Sequence, residues 1–145
     1  MLAASISSDN TDLAEELKRN ISGEVRFDKM SRVLYSTDAS IYQIEPIGVV
    51  IPKTEEDVIA AVETASKYSV PILPRGGGTS LAGQTVGHAV VVDFSKYMRN
   101  VLEINSEEGW VKVQPGIILD ELNDQIKHTG SFFSPDPSTS NRSNV

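Results

Sequence analysis

The chain has 145 residues, a formal net charge of −7, 39% hydrophobic and 23% charged residues, and a pI of about 4.8. That length and balance support one cored domain and exclude fibrous or low-complexity chains; the acidic charge repels polyanions, so nucleic acid is not an expected partner. Without cysteine there is no disulfide, thiolate metal site or cysteine nucleophile. The opening MLAASISSDN has no basic stretch, and no apolar run reaches the roughly 18 residues of a membrane span, so a cytoplasmic chain is expected.

In chain order, SDNTDLAEELKRNIS sets Leu13, Leu17 and Ile21 at helical spacing, with acids early and Lys18 and Arg19 late, as the helix dipole favours. This predicts an N-terminal helix ended by Gly23. The stretch EVRFDKMSRVLYSTDASIYQIEP is irregular, with one short helical turn expected between Lys29 and Tyr35. IGVVIP then reads as a buried strand, and Thr54-x-x-Asp57 as a capping-box-like start to a helix carrying Val58, Ala61, Val62, Ala65 and Tyr68. VPIL is the next strand, giving a βαβ unit expected to be parallel and right-handed. HAVVVDF gives a third strand, and RNVLEIN and GWVKVQP alternate around SEEG as a hairpin. Leu119, Leu122 and Ile126 form the apolar stripe of a last helix, entered at Pro115-Gly116 and closed by Gly130. The finish, SFFSPDPSTSNRSNV, has no period and leaves Phe132 and Phe133 without a following element, so the chain is expected to stop inside a domain.

The segment VPILPRGGGTSLAGQTVG carries the chemistry. A strand that ends in glycines brings backbone N–H groups close to phosphate oxygens, because glycine permits positive φ and close approach. Gly76, Gly77 and Gly78 supply such donors, Thr79 and Ser80 add hydroxyls, and Arg75 adds a positive charge. A purely flexible connection between strands is the competing explanation. The dinucleotide pattern G-x-G-x-x-G fails, since Leu81 stands where its last glycine belongs. The NTPase pattern fails at Gln84, which replaces the lysine before Thr85.

LPRGGGTSLAGQ resembles the pyrophosphate loop of the FAD-linked oxidases of the vanillyl-alcohol oxidase or p-cresol methylhydroxylase (PCMH) type, within the glycolate oxidase and D-lactate dehydrogenase branch. YSTDASIYQIEPIGVVIPKTEEDV before it, and VVVDFSKYMRNVLEINSEEGWVKVQPGIILDELN and FFSPDPSTSNR after it, are similar to the flanking segments of that branch in the same order. The similarity runs from about residue 24 to residue 142. It implies an α+β, PCMH-type FAD-binding domain: a parallel-containing first subdomain over residues 46–98 behind an N-terminal helix in residues 1–23, and the start of an antiparallel second subdomain over 99–145. FAD is expected between the two.

Carried over residue by residue, the resemblance implies that Pro74, Arg75, Gly76, Gly77, Gly78, Thr79, Ser80, Leu81, Gly83 and Gln84 line the FAD diphosphate. It implies that Pro135, Asp136, Pro137, Ser138 and Thr139 approach the flavin or ribityl region. Relatives that attach flavin covalently through this loop have a histidine where Thr79 stands, so non-covalent FAD is implied. The parent activity implied is oxidation of a small 2-hydroxy acid such as glycolate or D-lactate, with an unspecified electron acceptor. The substrate domain and the catalytic residues are expected outside this chain, which by itself is expected to be inactive. Two alternatives stand beside it: a non-catalytic flavin-binding module that self-associates, for instance as a homodimer through exposed edges, and a non-oxidase such as an alkyl-dihydroxyacetone-phosphate synthase.

The remaining polar residues read as structural. His88 and His128 have no evident partners, and Asp93 is expected to cap the turn into FSKY. Asp38 is a candidate for ordering a loop near the flavin, and Trp110 for packing on the hairpin. The pairs Glu15-Glu16, Glu55-Glu56 and Glu107-Glu108 are expected in solvent.

Overall fold

The structure is a computed structural model that describes residues 8–145; the start of the chain, where a leader was sought, lies outside the described residues. Helix α1 (Ser8–Asn20) leads to strand β1 (Glu24–Arg26), helix α2 (Lys29–Leu34), strand β2 (Gly48–Ile51) and helix α3 (Glu55–Lys67). Strands β3 (Ile72–Arg75) and β4 (Val90–Asp93) follow, then β5 (Val101–Asn105), β6 (Trp110–Val113) and helix α4 (Leu119–Ile126), which ends in a 3-10 turn over Lys127–Thr129.

Two lobes result. The first holds a four-stranded sheet in the order β1-β2-β4-β3, with β2, β4 and β3 parallel and β1 antiparallel to β2. Two points go beyond the expectation of a parallel unit. Strands β2 and β3 are parallel but not neighbours, because β4 enters between them. Strand β1, which the irregular reading of residues 24–46 missed, extends the sheet by pairing Glu24 to Arg26 against Ile51 to Val49. Three residues are too short for an alternating pattern to show.

The sheet is a continuous valine layer. Val49, Val50, Val90 and Val91 are fully buried, each such burial being favourable by about 1.5–3 kcal/mol. On one face Val50 and Val90 pack with Leu13, Leu17 and Ile21 of the α1 region and Ala61 of α3. On the other, Val49, Ile51 and Val91 meet Tyr35, Leu73 and Tyr97. Sidedness is thus set by the two-residue period of the strands.

Helix α3 starts as its sequence asks, with the Thr54 hydroxyl accepting from the Asp57 N–H at 3.2 Å. The Asp57 carboxylate reaches further than a capping box, accepting from the N–H of Ser22 at 2.7 Å and of Lys53 at 2.8 Å. Burial opposes its ionisation, but these N–H groups outweigh burial and hold its carboxyl below the usual carboxylate range. Glu16, expected in solvent, instead bonds Lys67 and Tyr68 and ties α1 to α3.

The second lobe is the β5–β6 hairpin with α4 across it, around Ile117, Leu122 and Ile126. Trp110 stays 41% exposed on the hairpin and donates to Glu108 at 2.6 Å. The lobes meet at Gly116, whose N–H donates to the Met98 carbonyl at 2.8 Å and where a Cβ would stand 2.0 Å from the Phe94 carbonyl oxygen. Only glycine fits there.

Candidate functional site

The glycine loop leaves the carboxyl end of β3, beside the carboxyl end of β4. This is the edge at which parallel sheets bind ligands, since loops there leave the last N–H groups free. The loop is braced by the segment from Tyr35 to Tyr42. Ala39 donates its N–H to the Gly78 carbonyl at 3.0 Å. The Asp38 carboxylate accepts from the Ser40 N–H and the Thr85 hydroxyl, both at 2.9 Å. Burial opposes ionisation of Asp38, yet Ser40 and Thr85 outweigh it and lower its carboxyl. Asp38 therefore ties the segment before β2 to the glycine loop.

Arg75 braces the loop from beneath. Its guanidinium donates to the carbonyls of Thr37 at 2.8 Å, Thr85 at 3.0 Å and Tyr35 at 3.4 Å, and lies 5.3 Å from the Tyr35 ring centre. It holds backbone together beneath the loop while it also lines the larger cleft. The carbonyls that claim it leave no mark in the sequence, because every residue carries one. Gly78, with φ of +64°, sits directly on this guanidinium, and a Cβ would be 2.6 Å from Nη2. Tyr35 itself donates to Asp93 at 2.5 Å, and its phenol is pushed well above its usual range by burial first and by Asp93 second. Asp93 also accepts from the Ser95 N–H at 2.8 Å, which is the capping role read from the sequence.

Two clefts flank the loop. The larger, about 650 Å³, is lined from Pro74 to Ala82 with Gln84 and Thr85, and closes on Phe94, Pro115, Asn144 and Val145. The smaller, about 400 Å³, places Gly77, Gly78, Thr79 and Leu81 opposite Pro137, Ser138, Thr139, Arg142 and Ser143. The structure thus gathers the loop with Pro137, Ser138 and Thr139, while Pro135 and Asp136 are exposed and line neither cleft. Gly83 faces the Tyr42 ring, and Ser80 and Gln84 bond each other. Among the described residues, the N–H groups of Gly78, Thr79 and Ser80 meet no acceptor.

The residues that sequence reasoning missed lie at the chain's end. Asn144 accepts from the Gly77 N–H at 2.6 Å and donates to the carbonyls of Gly116 and Ile117, bridging the two lobes. Ser143 is buried between Thr79 and Thr139, its hydroxyl 3.4 Å from that of Thr79. Their only signal was polar character after PDPST. His88 and His128 are exposed, each nearest a backbone carbonyl, and among the described residues no group of His, Asp or Glu is placed to hold a metal. No helix there is long and apolar enough to cross a membrane.

A profile of the family described as FAD binding domain matches residues 46–145. The chain belongs to the FAD binding domain family. This FAD binding domain is 43% identical over 136 residues to D-2-hydroxyglutarate dehydrogenase of Escherichia coli (strain K12), covering 92% of this chain and 13% of that protein. It is 36% identical over 132 residues to glycolate oxidase subunit GlcD of Bacillus subtilis (strain 168), covering 88% of this chain and 28% of that one. The structure of alkyldihydroxyacetonephosphate synthase superposes with a TM-score of 0.80 at 26% identity, over 92% of this chain and 28% of that chain. That of p-cresol methylhydroxylase with substrate bound gives 0.68 at 18% identity, over 86% and 25%, and shows the shared fold. The expected α+β, PCMH-type fold is therefore present, and the domain spans a minor part of the length of each of these relatives.

The residues fit the cofactor of the family name. Three backbone donors without acceptors, a hydroxyl at Thr79 and a Gly77 that no side chain could replace beside the Arg142 carbonyl, 2.4 Å from a would-be Cβ, together form an anion cradle.

Proposed function

We propose that this chain is the diphosphate-anchoring part of a flavin-dependent oxidoreductase that oxidises a small 2-hydroxy acid, with FAD held non-covalently. The observation that carries the reading is the row of acceptor-free N–H groups from Gly78 to Ser80, residues that line the larger cleft. Gly78, Thr79 and Ser80 would hold diphosphate oxygens, and the Asp38 and Arg75 bracing would keep the loop from collapsing. Thr79 offers a hydroxyl in place of a ring nitrogen, which supports non-covalent binding. Phe94 and Pro115 would exclude water at the far wall. When bound, FAD supplies acceptance of a hydride from the substrate carbon. Among 2-hydroxy acids, D-2-hydroxyglutarate is favoured over glycolate, because the relatives named for it reach 43% identity against 36% for the glycolate oxidase subunit.

The test uses the polypeptide that carries this chain. Mixed without oxygen with D-2-hydroxyglutarate, it should lose flavin absorbance faster than with glycolate or D-lactate, and acid precipitation should release the flavin. Absorbance that none of the three acids changes would rule out the oxidase reading, and flavin retained by the precipitate would rule out non-covalent attachment.

A second reading is favoured by one feature of the first lobe. Met30 and Leu34, one turn apart on α2, are 69% and 63% exposed and Ile41 is 94% exposed, apolar side chains in solvent that support self-association of the chain as a binding module.

A further inference from the structure

The clefts beside the glycine loop are lined by two cations, Arg75 and Arg142. A diphosphate carries two negative charges, and in a chain of net charge −7 the long-range field opposes its approach. A local countercharge is needed. Arg75 is engaged by three carbonyls and a tyrosine ring. Arg142 is exposed, makes no ion pair among the described residues, and its guanidinium donates only to the side chain of its neighbour Asn141 at 3.1 Å. Its backbone lies on Gly77, and the residue lines the smaller cleft with the hydroxyl residues Thr79, Ser138 and Ser143.

We propose that Arg142 is the cation that neutralises a ligand oxyanion seated on the glycine loop, taking the role that the sequence suggested for Arg75. The proposal rests on the FAD reading above and assigns the oxyanion to the cofactor's diphosphate. A guanidinium presents paired donors to phosphate oxygens, so charge and direction are supplied together. Because Arg142 is exposed and lies outside all three core clusters, its replacement is expected to leave the fold intact.

The experiment titrates the 145-residue chain and its R142Q variant with FAD, ADP and riboflavin, following flavin fluorescence or dialysis, with thermal unfolding as the control for folding. Arg142→Gln should raise the Kd for FAD and ADP about tenfold, as expected for one charge-assisted pair, leave riboflavin unchanged, and flatten the dependence of FAD binding on salt. Equal FAD affinity in the two chains overturns the proposal while leaving the FAD reading standing. An unaltered chain that binds neither FAD nor ADP overturns both the proposal and the reading beneath it.

Discussion

At the scale of single residues, the loop is shaped by side chains that act on backbone. Arg75 gathers three carbonyls from two segments that are distant in sequence, Tyr35 and Thr37 on one side and Thr85 on the other. Removing it leaves those carbonyls to solvent and frees the floor beneath Gly78. Arg75→Ala should lower stability by about 2–3 kcal/mol, from charged hydrogen bonds lost without replacement. Urea unfolding measures this directly. Faster hydrogen exchange of the Ala39 N–H, which bonds the Gly78 carbonyl, would show that the loop has loosened; an unchanged urea midpoint would contradict the bracing role.

At the scale of elements, the edge strand β1 has only three ladder positions, so it depends on side-chain ties. Glu24 bonds Lys96, Tyr97 and Arg26, joining the strand to the turn after β4. Lys96 first, then Tyr97 and Arg26, hold its carboxyl down from 4.5 to about 2. A carboxyl depressed in the folded state contributes stability that is present above its unfolded value and lost as pH falls through its folded one. The contribution is therefore complete above about 4.5 and disappears towards 2. Glu24→Gln should lower the urea midpoint at neutral pH, and the gap between variant and parent should close across that interval on acidification. A gap that is constant with pH would place the effect in packing instead.

At the scale of the whole molecule, the two lobes have separate cores, one around the valine sheet and one around Ile117, Leu122 and Ile126. A two-stranded hairpin is marginal alone, so β5 and β6 rely on α4 and on the ties to the first lobe. Asn144 is the tie that passes through the glycine loop. In native-state hydrogen exchange, amides of β2 and β4 should open only with global unfolding, and those of β5, β6 and α4 at lower free energy. Asn144→Ala should speed the second group and leave the first unaffected. Uniform acceleration would mean that the molecule opens as one unit.

The sequence by itself determined what depends on neighbours along the chain. The helices with regular apolar spacing, the Thr54 cap, the hairpin around SEEG and the glycine loop at a strand end are all local patterns, and all form where expected. Side-chain type also carried the resemblance to FAD-linked oxidases, because the loop needs particular small and polar residues in order. The tertiary structure alone decided the rest. It inserted β4 between β2 and β3, since parallel pairing is chosen by global packing and not by chain order. It enlisted residues 24–42 as edge strand and loop brace through backbone carbonyls, which no residue type announces. It also returned Arg142 to Asn144 onto Gly77, because long-range closure brings together polar side chains whose spacing in sequence has no period to read.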